Sequence, residues 1–145
     1  MSDLVINSLN KVLSSTYGLY LKTQNYHWNV TGTHFHDLHI LFESQYASLA
    51  QAVDIIAEQI RANGHKAPAT FKIYSSLSVV DDGNEEFTWQ EMVQDLYQSH
   101  LILSKLLKDG LEISAKADDQ VVNDLYVQRL AQHKKDAWML KAIIG

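Results

Sequence analysis

Apolar residues recur along most of this chain at steps of three and four, the seam of an amphipathic helix packed in a bundle. From about residue 3 to 29 the seam runs Ile6, Leu9, Leu13, Thr16, Tyr20, Thr23 and His27, flanked by Val5, Val12, Leu19 and Tyr26. Gly32 marks the first break. A second helix is expected over residues 35–63, with Leu38, Leu41, Phe42, Ala50, Val53, Ile56, Ala57 and Ile60 as its apolar positions and Asn63 followed by Gly64 as its stop. Residues 65–87 form a connection too long to lack structure of its own, and residues 71–77 are apolar enough for a short helix. Thr88-Trp89-Gln90-Glu91 reads as a capping box opening the third helix. Its seam is Trp89, Val93, Leu96, His100, Leu103 and Leu107, with His100 read as packed and Gly110 inside or near the helix end. After a break at residues 115–119, Asp118 or Asp119 can cap a fourth helix carrying Val121, Leu125, Leu130, Ala137, Trp138 and the apolar residues of 140–144. The expected fold is all-α: an antiparallel four-helix bundle whose one long crossover, between helices two and three, holds a short extra helix.

Composition narrows the class. With 145 residues, 46% hydrophobic and 20% charged, the chain fits one domain over residues 1–145. Six glycines and a single proline, Pro68, disfavour a turn-rich β architecture. The absence of cysteine excludes disulfides, thiolate metal sites and cysteine nucleophiles. No apolar run is long enough to span a membrane. The N-terminus carries Asp3 and no basic region, so it does not read as a signal peptide, and the expected compartment is the cytoplasm. Net charge is −5, and no basic tail of the kind nucleic-acid binders use is visible; the nearest basic feature, Lys134 and Lys135, is followed by Asp136.

Candidate chemistry concentrates between His27 and Glu58, which hold four of the seven histidines. His39 and Glu43 are four apart, and so are Asp54 and Glu58. At about 100° per residue, Glu43, Asp54 and Glu58 lie about 40°, 60° and 100° from His39, so all four share one stripe. Glu43 and Asp54 are nonetheless roughly 16 Å apart along the axis, so one helix cannot bring both pairs to one ion. Two copies can. The stripe is symmetric about a point between Ser48 and Leu49, so antiparallel crossing sets His39 of one chain against Glu58 of the other, and Glu43 against Asp54. A two-fold dimer makes such a contact twice. Ala47, Ser48, Ala50 and Ala52 are small enough at the crossing to let two backbones approach. The plainer alternatives are a solvated face for the carboxylates and a capping or core role for His27. His34 and His36 could hold a second, weaker metal or sit on the surface.

The same stretch resembles the Dps family, the mini-ferritins. The matching residues are His27-Trp28, the Leu-His-x-Leu-Phe-Glu-x-x-Tyr run from Leu38 to Tyr46, Asp54-x-x-x-Glu58, Asn63-Gly64 and the late Ala-Trp-Met-Leu-Lys-Ala beginning at Ala137. The resemblance covers nearly the whole chain. It implies a ferritin-like bundle, two-fold dimers assembled into a dodecamer, and a ferroxidase site between subunits with His27, His39, Glu43, Asp54 and Glu58 as ligands for one or two iron ions. Family members often carry Asp where this chain has Glu43. The resemblance further implies oxidation of Fe(II), preferentially by hydrogen peroxide rather than oxygen, with storage of ferric mineral. It places Trp28 beside the site as the residue most open to stray oxidising equivalents, and Asp118, Asp119 and Asp124 along an iron-entry pore. Imidazole and carboxylate ligands by themselves suit Fe(II), Mn(II) and Zn(II) alike. No Glu-x-x-His motif occurs, which speaks against a di-iron site inside one bundle. Two other classes compete: a nucleoid-associated DNA-binding protein with secondary iron chemistry, and an inert bundle. Net charge −5 and the lack of a basic tail count against DNA binding through tails.

Overall fold

In a computed structural model, which describes residues 3–145, five helices follow one another: α1 (Asp3–Asn29), α2 (Phe35–Ala62), α3 (Phe71–Leu77), α4 (Trp89–Lys116) and α5 (Gln120–Ile144). The four long helices form the bundle, with α1 packed on α2 and α4, and α4 on α5; α3 rides in the crossover against α1. Leu9, Leu13, Phe42, Ile56, Leu96, Leu103, Tyr126 and Leu140 are fully buried between them. Among the described residues, no helix is long and apolar enough to cross a membrane.

The helix ends follow local chemistry. The Glu91 N–H donates to Thr88 Oγ1 at 3.2 Å and the Thr88 N–H donates to Glu91 Oε1 at 2.9 Å, so both bonds of the capping box form. Beyond α2, Gly64 adopts φ +86°, where a side chain would be strained. The two acids between α4 and α5 divide the work. Asp118 closes α4 in the left-handed region at φ 55°, which Asp tolerates better than most residues. Asp119 opens α5 by accepting the Val122 N–H at 3.0 Å.

Contacts with α1 hold both the crossover and α4 in place. The Val79 N–H donates to the buried Ser15 Oγ at 3.0 Å. The buried Lys22 ammonium lies 3.1 Å from an Asp95 carboxylate oxygen, and the Tyr26 hydroxyl donates to Asp95 at 2.5 Å while accepting the Asn84 N–H. Burial, reinforced by Asp95, holds the Tyr26 phenol well above its usual range.

The α5 seam departs from the sequence expectation. Val121 and Trp138 are 63% and 66% exposed, and the buried stripe is Val122, Tyr126, His133, Asp136, Ala137 and Leu140. Polar residues inside that stripe make the apolar pattern point one position off the true face. In α2, Ala50 is exposed while Leu49 and Ala52 turn inward.

Gly110 sits within α4 against α5. A methyl group there would collide with the Tyr126 ring and stand 3.1 Å from Ser8 Oγ, whose hydroxyl pairs with the Tyr126 hydroxyl at 2.8 Å. Because Tyr126 is fully buried and cannot swing away, Gly110→Ala is expected to cost about 1–3 kcal/mol despite the better helix propensity of alanine. Chemical denaturation of the two proteins measures it; an unchanged or higher midpoint would show that the ring relaxes freely.

Candidate metal centre

His27 lies in the last turn of α1 and His39 in the second turn of α2, so the short turn between those helices brings them together. Their rings stack with centroids 3.8 Å apart and planes 14° from parallel. Each Nδ1 pairs with the other residue's backbone carbonyl: His27 Nδ1 to His39 O at 2.6 Å, and His39 Nδ1 to His27 O at 2.7 Å. A carbonyl only accepts, so each Nδ1 carries the hydrogen. Both Nε2 atoms are thereby left with free lone pairs, the arrangement that prepares imidazoles for ligation. Phe35 stacks on the other side of His39 at 5.0 Å, and Tyr46 meets His27 edge-on at 5.2 Å. His27 is buried and His39 half-buried.

Glu43 follows His39 by one turn of α2, but Asp54 and Glu58 stand far along the helix. Glu43, Asp54 and Glu58 are all exposed on one outward stripe of α2, with Ala47 and Ala50 between them and Ile40 and Ile55 as apolar neighbours, 50% and 57% exposed. Asp54 is fifteen residues from His39, about 22 Å along a helix. Among the described residues, no three His, Asp or Glu side chains of one chain gather closely enough to hold an ion. Of the small residues placed at a helix crossing by sequence, Ala47 and Ala50 face outward and Ser48 is half-buried. Ala52 is 2% exposed and belongs to the bundle's own core.

The remaining candidates separate. His34 and His36 are exposed, and His34 packs edge-on against Trp89 at 4.5 Å. Trp28 is 61% exposed and borders an outward hollow with Leu21, Asn25 and Gly83, so within one chain it does not cover the histidine pair. Asp118 and Asp119 serve the helix ends described above, and the exposed Asp124 accepts from Gln128 at 3.0 Å.

Two features escaped sequence reading. The fully buried His100 has a partner, His133 of α5, at 2.9 Å between Nδ1 atoms. Arg129 donates to His133 Nε2 at 3.3 Å, so His133 donates from Nδ1 to His100, whose Nε2–H finds no partner among the described residues. Burial and the Arg129 charge push the His100 pKa down to about 3; burial, His100 and Arg129 push His133 well down. No sequence signal ties residues 33 apart on different helices. Four exposed lysines, Lys105, Lys108, Lys134 and Lys141, also gather around Trp138 from α4 and α5, a basic patch that separation along the chain hides.

Known proteins share this architecture. Residues 6–145 match the family model of the ferritin-like domain. The chain is 35% identical to DNA protection during starvation protein 2 of Bacillus anthracis, over the whole chain and 99% of that relative. It superimposes on the crystal structure of Dps from Staphylococcus aureus with a TM-score of 0.94 at 31% identity, covering 97% of this chain and 95% of that one. A Dps protein from Vibrio cholerae O1, described as a member of a broad superfamily of ferritin-like diiron-carboxylate proteins, superimposes with a TM-score of 0.93 at 27% identity, over 97% of this chain and 89% of that one.

Proposed function

This chain belongs to the ferritin-like family, and within it to the Dps proteins, and from that premise we propose that it is a ferroxidase and iron-storage protein whose metal sites are completed by a second copy. The observation that carries this reading is the reciprocal bonding of His27 and His39, which leaves their two Nε2 lone pairs for a metal, while Asp54 and Glu58 stand exposed far along α2 and no three candidate ligands of one chain gather among the described residues. Two copies related by a two-fold axis through the middle of α2 supply each half with the other. His27 and His39 of one chain then face Asp54 and Glu58 of the partner, with Glu43 bridging or nearby, for one or two ferrous ions per site. Exposed Ile40 and Ile55 favour such an interface, since burying them removes apolar area from water. Twelve such chains, as six dimers, enclose the store.

The chemistry needs no radical product when the site holds two ions. Two ferrous ions give one electron each; hydrogen peroxide takes both, with two protons, and leaves as two waters. The site thereby removes iron and peroxide together. Asp118, Asp119 and Asp124 are proposed to attract incoming cations at a pore between subunits, in addition to their roles at helix ends. Anaerobic titration of Fe(II) followed by pulses of peroxide or of oxygen tests the reading. Rapid growth of ferric absorbance, faster with peroxide, is expected; slow oxidation equal to that of free iron would sink it.

A second reading, contact with a nucleic-acid backbone, rests on the four lysines around Trp138 rather than on any tail. It predicts a gel shift that weakens steeply as salt rises and is lost when Lys105 and Lys108 become Glu. Equal retention by both proteins would remove it.

A further inference from the structure

The ring contacts at the histidine pair continue away from it. His27 meets Tyr46 with centroids 5.2 Å apart, Tyr46 meets Tyr20 at 5.8 Å, Tyr20 meets Tyr17 at 5.5 Å, and Tyr17 meets Tyr74 at 4.9 Å. Four of the seven tyrosines therefore form one unbroken run drawn from α1, α2 and α3. Its order follows from helix geometry. Tyr20 precedes His27 by seven residues on α1, and Tyr46 follows His39 by seven on α2. Two turns along antiparallel neighbours lead the same way from the histidines, so the two tyrosines meet just as the two histidines do. One turn further, Tyr17 hands over to Tyr74 on α3. All four rings are half-buried, and Tyr17 and Tyr74 border a surface hollow with Thr70 and Phe71.

Packing alone does not ask for phenols here, since phenylalanine offers the same ring. Tyr20 accepts from Gln24 at 3.3 Å and Tyr74 donates to the Pro68 carbonyl at 2.7 Å, so at least two hydroxyls are held in place. What a phenol adds is oxidisability: it can give up a hydrogen atom to a strong oxidant, and phenylalanine cannot.

We propose that this run carries oxidising equivalents from the His27–His39 end to Tyr17 and Tyr74 at the surface when peroxide meets a site holding a single ferrous ion. The proposal rests on the ferroxidase reading above. One ferrous ion supplies only one of the two electrons that peroxide needs. Tyr46 supplies the other: ferrous ion, hydrogen peroxide and the Tyr46 phenol become ferric ion, hydroxide, water and the Tyr46 phenoxyl radical. Each later step passes one hydrogen-atom equivalent between neighbouring rings, so that Tyr46 is restored as Tyr20 is oxidised, then Tyr20 as Tyr17 is, then Tyr17 as Tyr74 is. At the surface a soluble one-electron donor such as ascorbate restores the last phenol. The hydroxyl radical that a lone ferrous ion would otherwise release is never freed beside the histidines. Trp28 stands outside this run.

The test uses the assembled protein with less than one ferrous ion per site, pulsed with peroxide without ascorbate and freeze-quenched for electron paramagnetic resonance. Peptide mass spectrometry then locates hydroxylated or cross-linked tyrosine. Wild type, Tyr20→Phe and, as a control outside the run, Tyr97→Phe are compared, with ferric absorbance followed in each. The expected result is a tyrosyl signal and modification of Tyr17 and Tyr74 in wild type and Tyr97→Phe. In Tyr20→Phe that outer modification falls several-fold, modification of Tyr46 persists or rises, and iron oxidation is unchanged. Equal modification of Tyr17 and Tyr74 in all three proteins, with iron oxidised normally, would overturn the path and leave the ferroxidase reading standing. Failure of iron oxidation in all three would overturn both.

Discussion

Subunits carrying His39→Ala and subunits carrying Asp54→Ala are each expected to lose rapid iron oxidation, and a mixture of the two refolded together is expected to regain part of it. Each substitution alone removes a ligand from every site, because every site takes its imidazoles from one chain and its carboxylates from the other. In a mixed dimer the losses fall together. One site lacks both His39 and Asp54, and the other draws His39 from the Asp54→Ala chain and Asp54 from the His39→Ala chain, so it is intact. Random pairing makes half the dimers mixed, with one intact site in two, so about a quarter of wild-type activity should return. Neither variant threatens the fold: Asp54 is exposed, and His39 is half-buried at a helix end. A mixture no more active than its components would rule out sites shared between subunits. Activity retained by the separate Asp54→Ala protein would return the stripe on α2 to a solvated face.

Lowering the pH is expected to destabilise the bundle from within, through His100 and His133. Both rings are fully buried, and their folded pKa values lie below the ordinary 6.5, His100 at about 3. The unfolded chain therefore takes up protons that the folded chain refuses. Stability is fully present above about pH 6.5 and is lost as pH falls from there toward about 3, at about 1.4 kcal/mol per pH unit for each histidine that stays neutral in the folded state. Across that window the loss reaches several kcal/mol, comparable with the whole stability of an ordinary domain. Asp136 works the other way. Burial raises its carboxyl pKa, with Gln132, Arg129 and Lys135 opposing, so its contribution improves as it becomes protonated. The histidines outweigh it because there are two and they are more deeply enclosed. Urea midpoints measured from neutral pH down to about pH 4 should fall steeply in wild type and much less in a His100→Leu, His133→Met variant. A flat wild-type profile would show that the pair is hydrated or relaxes on protonation.

The histidine pair also shows how far the sequence could be read. His100 occupies a seam position, so burial was evident from its spacing, but the identity of its partner was not. His133 lies on α5, where Arg129, His133 and Asp136 replace the apolar residues that mark a buried face elsewhere. The exposed Val121 and Trp138 then imitate the seam. On α1, α2 and α4 an aliphatic row runs through the buried face, with Leu9, Leu13 and Leu19, then Leu49, Ile56 and Ile60, then Leu96, Leu103 and Leu107, and there the three-four pattern points at the right face. The capping box at Thr88, the glycine stop at Gly64 and the helix at Phe71–Leu77 were equally legible, because each depends on residues within one turn of each other.

The candidate site divides along the same line. Spacing along α2 by itself determined that His39, Glu43, Asp54 and Glu58 share a stripe and that one helix cannot join its two ends, because helix rise and rotation are fixed by the backbone. Only the tertiary structure decided that His27 and His39 stack and exchange hydrogen bonds through each other's carbonyls, since that depends on how the turn at Gly32 folds α1 back on α2. The tyrosine run was likewise invisible until three helices were packed. Each of its rings fits its own helix pattern, but contact between rings on different helices is set by their packing distance, which no single-helix periodicity encodes.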